Sequence, residues 1–270
     1  MATQRIPMFQ ADAFTDKLFR GNPAAVCLLD APLPDEQMLS IAIENQLSET
    51  AFLRRTEEGW SLRWFTPGGE VNLCGHATLA SGHIVLTELT PAESAVTFHS
   101  VSGELRVEKE GKSYLLDLPS WPGEPIDIDP AWGEALGAPP VAARRTQRDI
   151  YVRLESESAV HDLAPDFRAL ARLIDQGIDG VGVAAGGAEH DIVSRFFAPA
   201  LDIDEDPVTG SAHSTWVPWF AEELGKTELR CWQASRRGGH LVATLRDDRV
   251  ELRGGAVTFL RGEIEVPVAR

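Results

Sequence analysis

Glu49 is the residue whose type and surroundings most suggest acid–base chemistry. It lies in the tract 48–52 (SETAF), between small and apolar neighbours. A carboxyl group in apolar surroundings has a raised pKa, because burial disfavours its charged form, and it can then take up and return a proton. The pattern alone fits a second interpretation more often, a surface glutamate in a turn that Ser48 caps. Glu49 is therefore a candidate acid–base group that needs further support.

Two loops each bring a glycine to the predicted start of a helix. Gly75 begins a helix expected to run through about Leu86, and Gly210, followed by Ser211, begins one expected to run through about Leu224. Backbone N–H groups at a helix start are unsatisfied donors at the positive end of the dipole, and glycine lets an anion approach them closely. Such starts could hold a carboxylate or stabilise an enolate. For either glycine alone, an ordinary capped helix is the alternative.

His76 and Asp206 are the polar side chains next to these glycines. His76 could serve as a second acid or base or as a hydrogen-bond donor to a substrate, although a structural role is commoner for a lone histidine. Asp206 could hold a substrate amine or hydroxyl, or it could cap the turn before Pro207. His76 and His83 share one helical face but have no third ligand nearby in sequence. No metal site is therefore predicted.

Cys74 raises the question of thiol chemistry, because cofactor-free racemases can use two thiols, one on each face of the carbon. Cys74 lies at a loop–helix junction, but the corresponding place in the second half of the chain holds Ser211 and no cysteine. A serine hydroxyl is too weakly acidic to replace a thiol base unaided. A two-thiol mechanism is therefore not predicted, and Cys27 and Cys231 are expected to be small buried residues.

The elements that must position these residues follow a similar order in the two halves of the chain. Trp64–Pro67, a loop and Gly75 are echoed by Phe196–Pro199, a loop and Gly210. This self-similarity predicts a duplication with two pseudo-twofold-related domains. The Pro- and Asp-rich tract 119–130 is predicted to be a linker, and 253–255 (RGG) is predicted to be a hairpin turn.

Composition and charge exclude several classes of protein. The 270 residues are 43% hydrophobic and 24% charged, with a net charge of −16 that should repel nucleic-acid backbones. No apolar run approaches the about 20 residues needed to cross a bilayer, and the start lacks the core of a signal peptide. Three sparse cysteines are typical of a reducing compartment. We predict a cytoplasmic protein with no nucleic-acid or membrane partner. Motifs for NAD, ATP and serine hydrolysis are missing from the sequence.

Five tracts in a fixed order carry a resemblance to a known family: 12–15 (DAFT), 21–26 (GNPAAV), 48–52 (SETAF), 73–78 (LCGHAT) and 205–212 (EDPVTGSA). Gln233 with 237–239 (RGG) also fits. The chain resembles the PhzF-like isomerase family of phenazine biosynthesis, within the diaminopimelate-epimerase-like fold. The resemblance implies an α/β protein of the α+β type. Its two pseudo-twofold-related domains would each be a mainly antiparallel sheet wrapped around a central helix.

The resemblance also implies an arrangement of the chain and its partners. It implies an N-terminal domain of residues 1–118 joined by 262–270, and a C-terminal domain of residues 119–261. The site would lie in the cleft between the domains. No cofactor and no metal are implied, the substrate would be a small-molecule carboxylate, and the protein would form a homodimer.

Residue roles follow from the same resemblance. In the family's characterised reaction a glutamate moves a proton within trans-2,3-dihydro-3-hydroxyanthranilate, and Glu49 matches that glutamate. The other matching positions are the polar residues around the substrate and the helix-start glycines: His76, Asp206 and Ser211, and Gly75 and Gly210. Trp216, just past the second helix start, departs from the phenazine enzyme and could reshape the pocket. Phenazine synthesis itself is therefore not assumed.

The function expected from the sequence is a cofactor-independent isomerase that uses Glu49 to move a proton within a small unsaturated or amino carboxylate. One alternative is a racemase or epimerase of a small amino or hydroxy acid, with Glu49 working against His76 or another base. Another is a non-catalytic relative that binds a small molecule. A double-bond shift, a stereoinversion and binding without reaction would distinguish the three.

Overall fold

A computed structural model of the chain describes residues 2–174, 177–201 and 203–268. The chain divides into two compact units, unit 1 with Met1–Asp117 and Arg253–Arg270, and unit 2 with Leu118–Leu252. Residues 1, 269 and 270, which belong to the predicted N-terminal domain, lie outside the described residues. Each unit contains its own set of paired strands and its own buried helix.

The described residues of unit 1 form two α-helices and nine strands, two of which continue past the boundary of the unit. The helices are α1 (Asp35–Asn45) and α2 (Gly75–Ile84), and a π-helical turn, Val85–Leu89, continues α2. The strands are β1 (Thr3–Ala13), β2 (Asn22–Leu29), β3 (Glu49–Thr56), β4 (Gly59–Thr66), β5 (Gly69–Val71), β6 (Ala95–Ser100), β7 (Gly103–Glu110), β8 (Ser113–Pro119) and the last strand of the chain, β17 (Arg249–Pro267).

Helix α2 lies at the centre of unit 1. All its residues are buried, and it packs against β1, β2 and β3. Small residues allow this close packing: a Cβ on Gly82 would lie 2.5 Å from a methyl carbon of Val107. Because a helix buried on all sides cannot have a polar face, its few polar side chains must find partners inside the protein.

The sheet of unit 1 is mainly antiparallel. Strand β1 pairs antiparallel with β17 and β2, β3 with β4, β4 with β5, β6 with β7, and β7 with β8. Parallel pairs join β2 to β3 and β4 to β6. Each parallel pair is connected through a helix, since parallel neighbours need a crossover. These crossovers place α1 between β2 and β3, and α2 between β5 and β6.

Unit 2 repeats this plan, with four α-helices, a short 3-10 helix (Pro199–Leu201) and eight strands among its described residues. The helices are α3 (Pro130–Leu136), α4 (Glu157–His161), α5 (Phe167–Leu173) and α6 (His213–Leu224). The strands are β9 (Glu124–Ile126), β10 (Ala142–Arg145), β11 (Asp149–Arg153), β12 (Gly180–Ala185), β13 (Ile192–Ala198), β14 (Ile203–Asp206), β15 (Glu228–Gln233) and β16 (Gly239–Arg246).

The strand pairing of unit 2 follows the same order as that of unit 1. The pairs β11–β12 and β13–β15 are parallel, like β2–β3 and β4–β6. The pairs β12–β13, β13–β14 and β15–β16 are antiparallel, like β3–β4, β4–β5 and β6–β7. Helix α6, mostly buried, therefore corresponds to α2. The predicted fold class is confirmed.

Two local predictions differ from the structure. The tract 253–255 lies inside strand β17 and not in a turn, because Gly254 and Gly255 run close to Phe14 and Thr15 where a Cβ would collide. The chain consequently returns to unit 1 at Arg253, whereas the sequence analysis placed the return at 262.

The second difference concerns the start of α6. Gly210 and Ser211 lie in tight turns before this helix, with backbone bonds from His213 N–H to the Gly210 carbonyl and from Ser214 N–H to the Ser211 carbonyl. The first α-helical residue is therefore His213, not Gly210.

Candidate active site

The chemistry-bearing residues of unit 1 lie at the beginnings of three elements. Asn22 is the first residue of β2 and Glu49 is the first residue of β3. Cys74 is the extended N-cap residue of α2, and His76 is the second residue of that helix. Since α2 packs on β2 and β3, the fold brings together residues that are far apart in sequence.

His76 is the centre of this cluster. Its Nε2 atom lies 3.2 Å from Oε2 of Glu49. Its Nδ1 atom lies 3.1 Å from the amide nitrogen of Asn22 and 3.5 Å from Sγ of Cys74. The Glu49 side chain is 16% exposed and the His76 side chain is 4% exposed. At 3.2 Å the imidazole and the carboxylate are close enough to interact electrostatically, and the low dielectric of this buried site strengthens that interaction.

The contact with Asn22 selects one form of the His76 ring. The amide NH₂ group can only donate a hydrogen bond, so Nδ1 accepts it and carries no proton. The ring proton of the neutral imidazole is then on Nε2, the nitrogen that lies 3.2 Å from Oε2 of Glu49, although this pair does not have hydrogen-bond geometry. Asn22 therefore favours the ring form of His76 that carries its proton on the Glu49 side.

The start of α2 is stabilised through Cys74. The Thr78 hydroxyl and the Thr78 N–H group both donate to the Cys74 carbonyl, over 2.5 Å and 3.2 Å. Because these bonds fix the backbone at the helix start, they also fix the direction of the Cys74 and His76 side chains. Gly75, at the junction, is buried and begins α2 as predicted.

The same cluster has the donor types of a metal site. Glu49, Cys74 and His76 each offer one ligand atom, and these atoms lie within 4.8 Å of one another. Cys74 and His76 are buried, and Glu49 is partly buried. A carboxylate, a thiol and an imidazole together are suited to a cation of intermediate softness.

In unit 2, Asp206 is the last residue of β14 and is buried. Its carboxylate accepts a short hydrogen bond from the Thr209 hydroxyl. The side chain of Gln233 bridges the loop: its oxygen accepts the Thr209 N–H at 2.8 Å, and its amide donates to the Asp206 carbonyl at 2.8 Å. Asp206 is thus held in a rigid loop by a buried glutamine of the neighbouring strand.

His213 supports the other side of this loop. It is fully buried, and its Nδ1 lies 3.0 Å from the Thr209 carbonyl, to which the Nδ1–H group donates. Burial lowers the pKa of His213 to about 4. His213 is therefore neutral near pH 7, and its contact with the loop is structural.

The structure places the predicted residues in two groups. Glu49, Gly75 and His76 lie in unit 1, with Glu49 and His76 in direct contact. Asp206, Gly210 and Ser211 lie in one loop of unit 2. Sequence reasoning did not identify Asn22 as a partner of His76. The tract Gly21-Asn22-Pro23 indicates a turn, but it carries no signal for a contact with His76.

None of the described helices has the length and apolar character needed to cross a membrane. All three cysteines, Cys27, Cys74 and Cys231, are buried and have free thiols. Burial raises the pKa of the Cys27 thiol to about 12 and also raises that of Cys231. These two cysteines therefore behave as small apolar residues, as the sequence analysis expected.

Comparison with known proteins identifies close relatives. The sequence model of the family described as "Phenazine biosynthesis-like protein" matches residues 11–262. An uncharacterized isomerase of Pseudomonas aeruginosa is 45% identical over 97% of this chain and 99% of its own length. The crystal structure of a phenazine biosynthesis PhzF family protein from Enterococcus faecalis is 42% identical, with a TM-score of 0.91 and coverage of 97% and 99%.

A more distant similarity concerns the fold alone. A hydroxyproline epimerase from Agrobacterium vitis, solved with bound trans-4-hydroxy-L-proline, is 10% identical and has a TM-score of 0.63. The alignment covers 97% of this chain and 93% of the epimerase. The two-unit architecture therefore extends beyond the close relatives.

Proposed function

The chain belongs to the phenazine biosynthesis-like protein family, whose curated relatives include proteins named isomerases, and we propose that it moves a proton within a small unsaturated or amino carboxylate. Glu49 is the proton carrier in this proposal. The observation that carries it is the 3.2 Å contact between the Glu49 carboxylate and Nε2 of His76, at the buried start of α2.

The proposed reaction has two steps that balance without a co-reactant. Glu49, as carboxylate, takes a proton from an activated C–H bond, and the electron pair of that bond moves into the conjugated system of the substrate. The protonated Glu49 then returns the proton to a second carbon, where a new C–H bond forms. One base is sufficient if both carbons face it, and general acid–base catalysis of this kind contributes about 10²- to 10⁴-fold.

His76 has an orienting role in this mechanism. Its Nε2 atom lies 3.2 Å from one oxygen of Glu49, and the partial positive charge of an Nε2–H group at this distance stabilises the carboxylate form that must accept the proton. Gly75 with His76, and Gly210 with Ser211, are proposed to bind the substrate carboxylate through backbone N–H groups. Asp206 is proposed to hold a substrate amine or hydroxyl.

Further properties of the protein are part of the same proposal. We propose that the reaction uses no cofactor, that the protein is a homodimer, and that it acts in the cytoplasm, where its three free thiols would persist. Exchange activity that survives exhaustive dialysis against a chelator would support cofactor independence. Sedimentation analysis would determine the oligomeric state.

Proton exchange in D₂O tests the proposed function. The protein is incubated with trans-2,3-dihydro-3-hydroxyanthranilate and a panel of small unsaturated and amino carboxylates, and each compound is followed by NMR. Glu49→Gln should abolish deuterium uptake, whereas the matched control Glu44→Gln, an exposed position in α1, should retain it. Exchange that survives in Glu49→Gln would assign the base to another residue.

The type of product separates the remaining alternatives. A double-bond shift with deuterium uptake supports the isomerase. Stereoinversion without a double-bond shift would establish an epimerase. Binding across the panel without any exchange would favour a non-catalytic relative.

A further inference from the structure

The cluster of Glu49, Cys74 and His76 has the donor atoms of a metal site, which proton transfer does not require. Thiolate, imidazole nitrogen and carboxylate oxygen are the three donor types that Zn²⁺ takes from proteins. Their ligand atoms lie within 4.8 Å of one another here. Two of the three residues are almost fully buried, so a cation bound there would be largely shielded from water.

The distances are close to those of a tetrahedral ion. Zn²⁺ bound to sulfur, nitrogen and oxygen holds these atoms about 3.3–3.6 Å from one another, as the usual bond lengths require. In the structure Nε2 of His76 is 3.2 Å from Oε2 of Glu49, so this pair already has the required spacing. Sγ of Cys74 lies 3.5 Å from the other ring nitrogen, Nδ1, and a rotation of the Cys74 side chain is needed to bring it to an ion on Nε2. Glu49, Cys74 and His76 would then fill three coordination positions and leave a fourth for water or a substrate oxygen.

We propose that Glu49, Cys74 and His76 bind Zn²⁺, or another divalent cation of similar softness, and that the bound ion blocks Glu49 as a proton carrier. The positive charge of the ion stabilises the deprotonated carboxylate, so that Glu49 takes up a proton from the substrate less readily. The blocking effect rests on the function proposed above, whereas the binding site itself does not. The metal is thus an inhibitor of this site and takes no part in the reaction.

Asn22 can hydrogen-bond to Nδ1 of His76 in both the metal-free and the metal-bound state. Without metal, its amide nitrogen faces Nδ1. A metal on Nε2 moves the ring proton to Nδ1, and a half-turn of the amide then presents the Asn22 oxygen to that proton. Metal-bound histidines commonly make this kind of contact through the second ring nitrogen.

His83, which the sequence analysis considered beside His76, has no place in this site. Its Nδ1 lies 2.8 Å from the Tyr114 hydroxyl, and its Nε2 lies 2.8 Å from the Thr258 hydroxyl. Both ring nitrogens are therefore engaged elsewhere in unit 1.

Cobalt spectroscopy tests the site directly, because thiolate bound to Co²⁺ gives a charge-transfer band in the near ultraviolet. The chelator-treated full-length protein should bind one equivalent of Co²⁺ with this band, and Zn²⁺ should displace it. Cys74→Ala should lose the band and weaken binding by more than the about 10- to 100-fold that an outer partner of a metal site contributes. Cys27→Ala, a buried cysteine elsewhere in unit 1, is the matched control and should keep both.

Several results would overturn the proposal. These are no charge-transfer band in the wild type, a band that persists in Cys74→Ala, or a band that is lost in Cys27→Ala. If Cys74→Ala does not fold, X-ray absorption of the Zn²⁺-loaded wild type decides the question. One sulfur at about 2.3 Å with nitrogen and oxygen at about 2.0–2.2 Å supports the site, and a shell without sulfur contradicts it.

Activity measurements keep this proposal separate from the proposed function. In chelator-treated protein that exchanges protons, one equivalent of Zn²⁺ should reduce the exchange rate at least tenfold. Unchanged exchange with the metal bound would overturn the inhibitory effect. If the metal-free protein shows no exchange with any compound while the cobalt band is present, the proposed function fails and the metal site stands.

Discussion

The two units share one strand order, but they differ at the position where unit 1 carries its carboxylate. Glu49 begins β3 and pairs with Ala24 of the parallel strand β2. The corresponding strand β12 begins with Gly180, which pairs with Asp149. A Cβ on Gly180 would lie 2.6 Å from a ring carbon of Phe196 and 2.7 Å from the Phe197 carbonyl oxygen. Unit 2 therefore has no room for a side chain where unit 1 places Glu49.

The central helices, α2 and α6, also differ at their starts and in what their first histidine contacts. In unit 1, α2 begins at Gly75 and its second residue, His76, contacts Glu49. In unit 2, turns precede α6, and His213 contacts a backbone carbonyl of the loop that it supports. The repeated strand order thus carries a contact between a carboxylate and an imidazole in one unit and a hydrogen-bonded polar loop in the other. Equivalent topology does not imply equivalent chemistry, because single residues at element starts decide it.

After Glu49 itself, the largest expected effect concerns Asn22 in unit 1. Asn22→Ala removes the donor that selects the Nε2–H form of His76, so the exchange rate should fall about 10- to 100-fold, equivalent to about 1.4–2.8 kcal/mol. NMR of ¹⁵N-labelled imidazole should show a mixture of ring forms. Asn72→Ala, at an exposed position of the same unit, should change neither measurement. Normal exchange with an unchanged ring form in Asn22→Ala would contradict the orienting role.

A substitution at Gly180 tests whether unit 2 lacks room for a side chain at the position that corresponds to Glu49. Gly180→Ala forces a Cβ against an aromatic ring and a backbone oxygen, so the free energy of unfolding should fall by about 1–3 kcal/mol. Gly186→Ala is the matched control, since its Cβ would have no neighbour closer than 3.9 Å. Denaturant titration of both variants measures the difference. Equal stabilities would show that unit 2 could accept a side chain at this position.

Gln233 tests the rigid loop of unit 2. Gln233→Ala removes its bonds to the Asp206 carbonyl and the Thr209 N–H and leaves these buried groups without that partner. The expected loss in the free energy of unfolding is about 1–3 kcal/mol. Hydrogen exchange at Thr209 should also accelerate. Gln147→Ala, at an exposed position of unit 2, should leave both unchanged.

A further expected effect is a pH dependence of the free energy of unfolding that comes from His213. Its folded pKa, about 4, lies below the ordinary value of 6.5. Between these values the unfolded chain binds a proton that the folded protein does not, so stability falls as the pH falls from about 6.5 to about 4. His213→Gln should reduce the slope of the free energy of unfolding against pH in this range by the amount that corresponds to about one bound proton.

Two other groups serve as comparisons for the His213 measurement. His161→Gln, at an exposed position, should leave the pH profile of stability unchanged. Asp149 acts in the opposite direction, because burial raises its folded pKa to about 6, and its contribution to stability is lost as the pH rises through that value. An unchanged slope in His213→Gln would contradict the neutral buried histidine.

Much of the fold could be predicted from the sequence. Family tracts and the repeated order of elements were sufficient for the α+β class, and the predicted start of α2 at Gly75 agrees with the structure. The start of α6 was placed too early, because a glycine before a helix pattern does not reveal the tight turns at Gly210 and Ser211. The Gly-Gly pair in β17 was interpreted as a turn, although it serves a close approach to Phe14 and Thr15.

The internal contacts of the candidate site could be predicted only in part. Glu49 and His76 were named separately, each for its residue type and surroundings. The contact between Asn22 and His76 joins positions 54 residues apart and depends on how α2 packs on β2. The ligand set of Glu49, Cys74 and His76 depends on the same packing. Such contacts have no local sequence signal, since they arise only when the sheet has formed around the helix.

The asymmetry between the units is tested most directly by exchange kinetics of two variants, Glu49→Gln and Asp206→Asn, in D₂O with an active substrate. Our account predicts that Glu49→Gln lowers the exchange rate about 10²- to 10⁴-fold at saturating substrate. Asp206→Asn should raise KM more than it lowers kcat, because Asp206 is proposed to hold the substrate. Near-normal exchange in Glu49→Gln together with complete loss in Asp206→Asn would contradict the account and place the proton transfer in unit 2.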